Sequence, residues 1–231
     1  MNYNIYVEKP KKKSPLWLKI VGGVFSALVL FVLGFCLFVN FTYSYHEVLG
    51  TSMYPTLNQN QLDEDYVYTY NTKDVQRGDI IVYRISESKK VIKRLVGLGG
   101  DHILVRETDQ LENGYVIFEL CIRYGGVGDW QVVDDSYVSS RTTNYELYKN
   151  IFMANLDNKQ FGHDDDYGQY LIVPENHFFA LGDNRLTSYD CADYGPVSND
   201  ALEGKVVYVA YQNKFPQLQA LWQFLAGAKW K

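Results

Sequence analysis

Apolar and polar positions follow two different patterns along this chain. From Ile20 to Val39 no charged residue occurs, and a run of that length spans roughly 30 Å of hydrocarbon at about 1.5 Å per residue. The pattern predicts one transmembrane helix over 20–39. Beyond Gly50 the apolar residues come in short bursts rich in Val, Ile and Tyr, which read as strands. Candidates are Leu62–Tyr70, Ile80–Ile85, Lys90–Val96, Tyr170–Val173, His177–Leu181 and Lys205–Tyr211. Turn chemistry separates several of them, at Arg77-Gly78-Asp79, Gly97-Leu98-Gly99-Gly100-Asp101 and Gly182-Asp183-Asn184-Arg185. Helical spacing returns only at Leu218, Leu221, Trp222 and Leu225. That stripe predicts an amphipathic segment over 214–231, too short to span a membrane and suited to packing on the domain or touching a lipid surface.

Residues 102–170 have a different texture. Tyr124-Gly125-Gly126-Val127-Gly128-Asp129, Asp134-Asp135-Ser136 and His163-Asp164-Asp165-Asp166 break the apolar pieces. An inserted subdomain, part strand and part loop, fits this stretch better than more core. Asp164–Asp166 lacks the spaced oxygen ligands and distal Glu of an EF-hand loop, so it reads as a solvated loop.

The distribution of charge says more than its total. Residues 1–19 carry Lys9, Lys11, Lys12, Lys13 and Lys19 against Glu8 alone, whereas the whole chain has a net charge of −5. Lysines stay on the cytoplasmic side of a membrane, so 1–19 reads as a cytoplasmic segment and the body faces outward, with Trp17, Tyr43 and Tyr45 as interface anchors. A cleaved signal peptide has a shorter apolar region and a small-residue cleavage site. Here the run ends Phe38-Val39-Asn40-Phe41-Thr42-Tyr43, with bulky residues in those places. The acidic body argues against nucleic-acid binding, which needs a basic patch. Cys121 and Cys191 make one disulfide arithmetically possible. No Cys/His spacing resembles a zinc site, no metal or cofactor is expected, and nothing signals an oligomeric state.

Candidate chemistry begins at Gly50-Thr51-Ser52-Met53-Tyr54-Pro55-Thr56-Leu57, just past the apolar run. A serine hydroxyl needs a base to become a nucleophile. His46 is close in sequence, so a Ser-His pair stays open, while His102, His163 and His177 are scattered. Lys93, flanked by Val91, Ile92, Leu95 and Val96, is the other candidate. A lysine becomes a base when desolvation lowers its pKa from about 10.4 toward neutrality. Taken alone, the segment reads first as a strand with an exposed lysine, because lysines are rarely buried.

The serine segment, Arg77-Gly78-Asp79-Ile80-Ile81-Val82, Lys93-Arg94-Leu95-Val96-Gly97 and Gly182-Asp183-Asn184-Arg185 occur in the order found in bacterial type I signal peptidases. The chain resembles that family from the anchor to about Tyr208, in a Gram-positive-like form. The resemblance implies a mainly β fold: an antiparallel, partly barrel-like catalytic domain with an inserted subdomain, behind one N-terminal transmembrane helix. It divides the body into a first core part (40–101), the insertion (102–170) and a second core part (171–213). It makes Ser52 the nucleophile and Lys93 the general base, with Ser188 hydrogen-bonded to the lysine and Asp190 nearby. Asp183 and Arg94 match a structural ion pair. The Ser52 N–H would serve the oxyanion, and Gly50 stands where some members have a serine as a second donor. Met53, Leu57 and Ile92 are expected to line shallow apolar pockets for small substrate residues, against the plainer reading of core packing.

Two positions depart from the family pattern. Asp190-Cys191-Ala192 replaces the usual Asp-Ser-Arg, and Gly99 stands where proline is usual. The implied activity is removal of signal peptides from exported preproteins at the lipid bilayer, by a single-pass cell-membrane enzyme with its catalytic domain outside. The alternative is a catalytically silent anchored β-domain that binds secreted or pilin-like clients.

Overall fold

The computed structural model describes residues 15–59, 65–154 and 157–210. Helix α1 (Leu16–Thr42) covers the charge-free run and extends beyond it at both ends. It buries no residue against protein, and among the described residues it is the one helix long and apolar enough to cross a membrane, with a mean hydropathy of 2.6. Chain contacts divide at Thr42 into the helix and a separate β body.

Among the described residues twelve strands follow in the body: β1 (Tyr43–Glu47), β2 (Tyr66–Tyr70), β3 (Ile80–Ser86), β4 (Lys89–Leu98), β5 (His102–Glu112), β6 (Tyr115–Arg123), β7 (Gln131–Val132), β8 (Gln160–Asp164), β9 (Gly168–Ile172), β10 (His177–Leu181), β11 (Val197–Ser198) and β12 (Leu202–Ala210). Helix α2 (Asn144–Phe152) precedes β8, and α3 (Cys191–Tyr194) follows β10. One sheet has the order β1-β2-β12-β3-β4-β10-β11 and the other β7-β6-β5-β9-β8. All of the pairings are antiparallel. The main β architecture is thus as expected. The second sheet runs from His102 to Ile172, the stretch whose composition marks an insertion.

The main core joins both sheets, with Ile81, Tyr83 and Leu95 from the first and Ile103, Leu120 and Leu171 from the second all fully buried. A smaller cluster of Val48, Met53, Leu57 and Val67, with Ile80 and Ile92 against it, lies under the serine segment. Hairpin β5–β6 turns through Asn113 and Gly114 at φ +52° and +82°, the left-handed pair a tight type I′ hairpin needs.

One local feature differs from the sequence expectations. Residues 102–170 contain α2, where only strand and loop were expected. Its nine residues offer only Leu147 and Ile151 as a fully buried apolar face, too little for a visible period. Lys159 completes this helix by donating to the carbonyls of Asn150 (2.6 Å) and Ala154 (2.9 Å). Cys121 and Cys191 are both buried free thiols, so no disulfide joins them. The amphipathic segment expected over 214–231 lies outside the described residues, as do residues 62–64 of the expected Leu62–Tyr70 strand.

Candidate active site

Ser52 sits in the turn that follows β1, and two devices fix that turn. Met53 and Leu57 are buried in the small cluster at 2% and 0% exposure. Asn58 ties the ends together: its Nδ2 donates to Val48 O (2.7 Å) and Gly50 O (2.8 Å), and its Oδ1 accepts from Asp65 N (2.7 Å). Gly50 has φ +80°, a conformation that disfavours any side chain, so glycine in place of serine follows from the backbone here.

Lys93 shares its face of β4 with Val91 and Leu95. Its Nζ donates to Ser52 Oγ at 2.8 Å, and the side chain is only 3% exposed. Burial pushes its pKa below the ordinary 10.5, aided by Lys89 and opposed by smaller upward pulls from Asp190, Cys191 and Asp183. The exposed-lysine reading of this segment is therefore excluded. The electrostatic neighbours of His46 on β1 are Lys90 and Glu203, and the hydroxyl of Ser52 is taken by Lys93. The Ser-His alternative thus has no geometric support.

The loop after β10 closes the site. Asn184 N donates to Ser52 O (3.0 Å) and Asn184 Nδ2 to Thr51 O (3.1 Å). Gly182 is enclosed so tightly that a Cβ there would collide with the Ser188 hydroxyl and lie 2.5 Å from Ser52 O. Asp190, 3% exposed, accepts from Gly182 N (2.8 Å) and Ser188 Oγ (2.5 Å) on Oδ2, and from Ala192 N (3.0 Å) on Oδ1. The resemblance puts the Ser188 hydroxyl on Lys93. Here it donates to Asp190 instead, since a carboxylate is the stronger acceptor, and Lys93 bonds to Ser52 alone. The backbone N–H of Ser52 has no hydrogen-bond partner among the described residues, so it is available to an incoming oxygen.

Arg94 and Asp183 form the expected ion pair, bidentate at 2.9 and 2.6 Å. Thr56 Oγ1 adds a hydrogen bond to Asp183 Oδ2 (2.5 Å), and the Tyr137 ring covers the Arg94 guanidinium at 4.0 Å. The sequence reading assigned no role to Thr56, Asn58, Gly182 or Tyr137. Thr56 and Gly182 stand within recognised motifs, and that is the signal by which they were accessible. Tyr137 comes from the insertion and carried no signal at all. Met53 and Leu57 are core residues in this structure, whereas Ile92 is only partly buried beside them. Among the described residues no group of His, Cys, Asp and Glu is placed to hold a metal ion. The acidic triple is the β8–β9 turn, where Asp164 accepts from Arg123 and Trp130 and is held at a pKa of about 2, chiefly by those two bonds.

A buried lysine on a turn-borne serine, closed by a Gly-Asp-Asn-Arg loop, is the arrangement the sequence resemblance calls for. Residues 18–211 match the family described as signal peptidase, peptidase S26. The chain belongs to this family. It is similar to signal peptidase I of Bacillus caldolyticus, 29% identical over 166 residues that cover 72% of this chain and 78% of the relative. It is also similar to signal peptidase IB of Staphylococcus aureus (strain Mu50 / ATCC 700699), 23% identical over 206 residues covering 86% and 90%. A crystal structure of a signal peptidase I from Enterococcus faecalis V583 aligns with 57% of this chain and 96% of its own, at 25% identity and a TM-score of 0.32, too low to bear on the fold. Family membership makes this a signal peptidase, with preproteins that carry signal peptides as its substrate class.

The departures from the family pattern have local explanations. Ala192 is 3% exposed within the main core, and its N–H caps onto Asp190, so the place of the usual arginine is a packing position here. The thiol of Cys191 is fully buried, and burial raises its pKa to about 12. Gly99 lies against the backbone of Pro174–Asn176, where a Cβ would come within 3.1 Å of Asn176 N.

Proposed function

We propose that this protein is a membrane-bound serine endopeptidase that removes N-terminal signal peptides from exported preproteins, with Ser52 as nucleophile and Lys93 as general base. The observation that carries the reading is the 2.8 Å hydrogen bond between Ser52 Oγ and the Nζ of a Lys93 buried to 3% exposure. Desolvation favours the neutral amine, the form that accepts a proton. Neutral Lys93 takes the Ser52 proton as Oγ attacks the scissile carbonyl carbon. The carbonyl oxygen becomes an oxyanion facing the Ser52 N–H. When it collapses, the C–N bond breaks and Lys93 gives its proton to the departing amine, leaving an acyl-Ser52 ester. Lys93 then deprotonates a water that attacks the ester, and returns that proton to Ser52 Oγ as the acid leaves.

Ser188 and Asp190 act here by holding the loop beside Ser52, and Arg94–Asp183 fixes the loop's start. Substrate residues before the cut pack over Ile92, with Met53 and Leu57 as the floor. Helix α1 anchors the domain in the membrane, with the lysine-rich segment on the cytoplasmic side. The test is cleavage of a preprotein with an Ala-x-Ala site in liposomes by wild type, Ser52→Ala and Lys93→Ala. Correct cutting by wild type and none by either variant is expected. Full activity in Lys93→Ala would overturn the base assignment, and binding without cutting by wild type would favour a silent client-binding domain.

A further inference from the structure

An open groove of about 500 Å³ lies between the start of β6 and α2, within the roughly 300–1,000 Å³ typical of binding clefts. Its apolar walls are Tyr115, Val116 and Phe118 of β6, Tyr145 of α2 and Leu186 of the loop after β10. Tyr115, Tyr145 and Leu186 are 71%, 45% and 63% exposed. Large apolar side chains left uncovered together mark an interaction surface. Glu146 at the rim is paired with Lys149 at 2.8 Å, so the groove presents apolar surface without a free carboxylate.

Leu186 links this groove to the catalytic residues. It belongs to the loop that carries Ser188 and Asp190, and whose Asn184 is bonded to the Thr51 and Ser52 carbonyls. The cluster under Met53 and Ile92 also holds Ile80 of β3 and Val206 and Val209 of β12, on one side of β4. The Leu186 loop springs from β10, on the other side. The loop then returns to the serine turn through Asn184, two residues before Leu186, so the groove continues from the place where a bound peptide meets Ser52.

We propose that this groove receives the segment of the preprotein that follows the scissile bond, an extended polypeptide with an apolar or aromatic side chain. The inference rests on the peptidase reading, so its test separates the two. Two fluorescent peptides share the residues before the cut; one stops at the first residue after it, and the other continues with a longer segment containing Phe and Leu. Binding is measured to full-length Ser52→Ala in detergent and to the same protein carrying Tyr115→Asp with Tyr145→Asp, or Leu186→Asp alone. The longer peptide is expected to bind Ser52→Ala on the order of tenfold more tightly. The groove variants lose that gain while their affinity for the short peptide stays unchanged. Equal affinity for both peptides, or a gain that survives the substitutions, overturns the groove. Cleavage of the short peptide by wild type reports on the peptidase alone: cutting without a length effect removes only the groove, and a length effect without cutting removes the peptidase reading and with it the assignment of the groove to the segment after the cut.

Discussion

Gly182→Ala is the most incisive single-atom perturbation of this site. The φ of Gly182 is not in the left-handed region, so the backbone accepts alanine and only the new methyl group matters. That methyl would lie 2.5 Å from both Ser52 O and Ser188 Cβ, and closer still to Ser188 Oγ. Ordinary contact begins at 3.4 Å, so each neighbour must yield by 3.4 − 2.5 = 0.9 Å. The atoms that must move are the carbonyl of Ser52, the proposed nucleophile, and the side chain held by Asp190. A displacement of about 1 Å at reacting groups costs roughly 10²-fold in rate. Overpacking of this kind also costs about 1–3 kcal/mol, or roughly 2–12 °C in Tm for a domain of this size. We expect kcat to fall by about 10²-fold with KM little changed, because the cluster beside Ile92 is untouched. Steady-state cleavage of a signal-peptide substrate, together with a thermal melt of the detergent-solubilised chain, provides the check. Activity within about threefold of wild type at an unchanged Tm would show that Ser52 and Ser188 do not depend on this contact.

The rate should rise with pH along an acid limb, because only neutral Lys93 accepts a proton, and the midpoint should lie below 10.5. Asp190 pulls the lysine pKa upward, so Asp190→Asn should move that limb to lower pH; an unmoved or raised limb in the kcat/KM profile would refute the electrostatic assignment. Asp183→Ala leaves the Arg94 guanidinium, 14% exposed, without its carboxylate, and should cost about 3–5 kcal/mol toward the lower end in a denaturant titration. Arg185 is 5% exposed with none of its nitrogens hydrogen-bonded among the described residues, so Arg185→Met should leave the denaturant midpoint unchanged or raised, and a clear drop would mean that the guanidinium has a partner.

Motif resemblance made the site more legible than the fold's details. Ser52, Lys93, Arg94 and Asp183 lie in short segments whose resemblance to the family's motifs implies their contacts, while residue chemistry alone left Lys93 as an exposed strand lysine. Strand candidates matched β3, β4, β9, β10 and β12, where Val, Ile and Tyr come in short bursts between turn residues, whereas the long β5–β6 hairpin was read only as part of a mixed insertion. What escaped notice depends on tertiary context. Helix α2 owes its place to Leu147 and Ile151 on the core and to Lys159 at its end, none of which forms a local period. Tyr137 reaches the Arg94–Asp183 pair from the turn after β7, so nothing near it in sequence could announce the contact. Met53 and Leu57 read equally well as pocket or core, and only their burial decides between the two.

The most instructive difference from the family pattern is the missing arginine beside Asp190. A buried carboxylate without a counter-charge is costly unless hydrogen bonds replace the lost hydration. Here Gly182 N, Ala192 N and Ser188 Oγ supply them, and Asp193 Oδ2 accepts from Asp190 N at 2.9 Å to complete a capping box at the start of α3. The donors come from both flanks of the loop after β10, its first residue and the helix after it. One carboxylate therefore does two jobs, neutralising its own burial and closing the loop against Ser52. A loop closed in this way does not need an arginine to hold it, and a small residue such as Ala192 can enter the core in its place. The same closure makes the loop depend on the Gly182 N–H and on the absence of a side chain there.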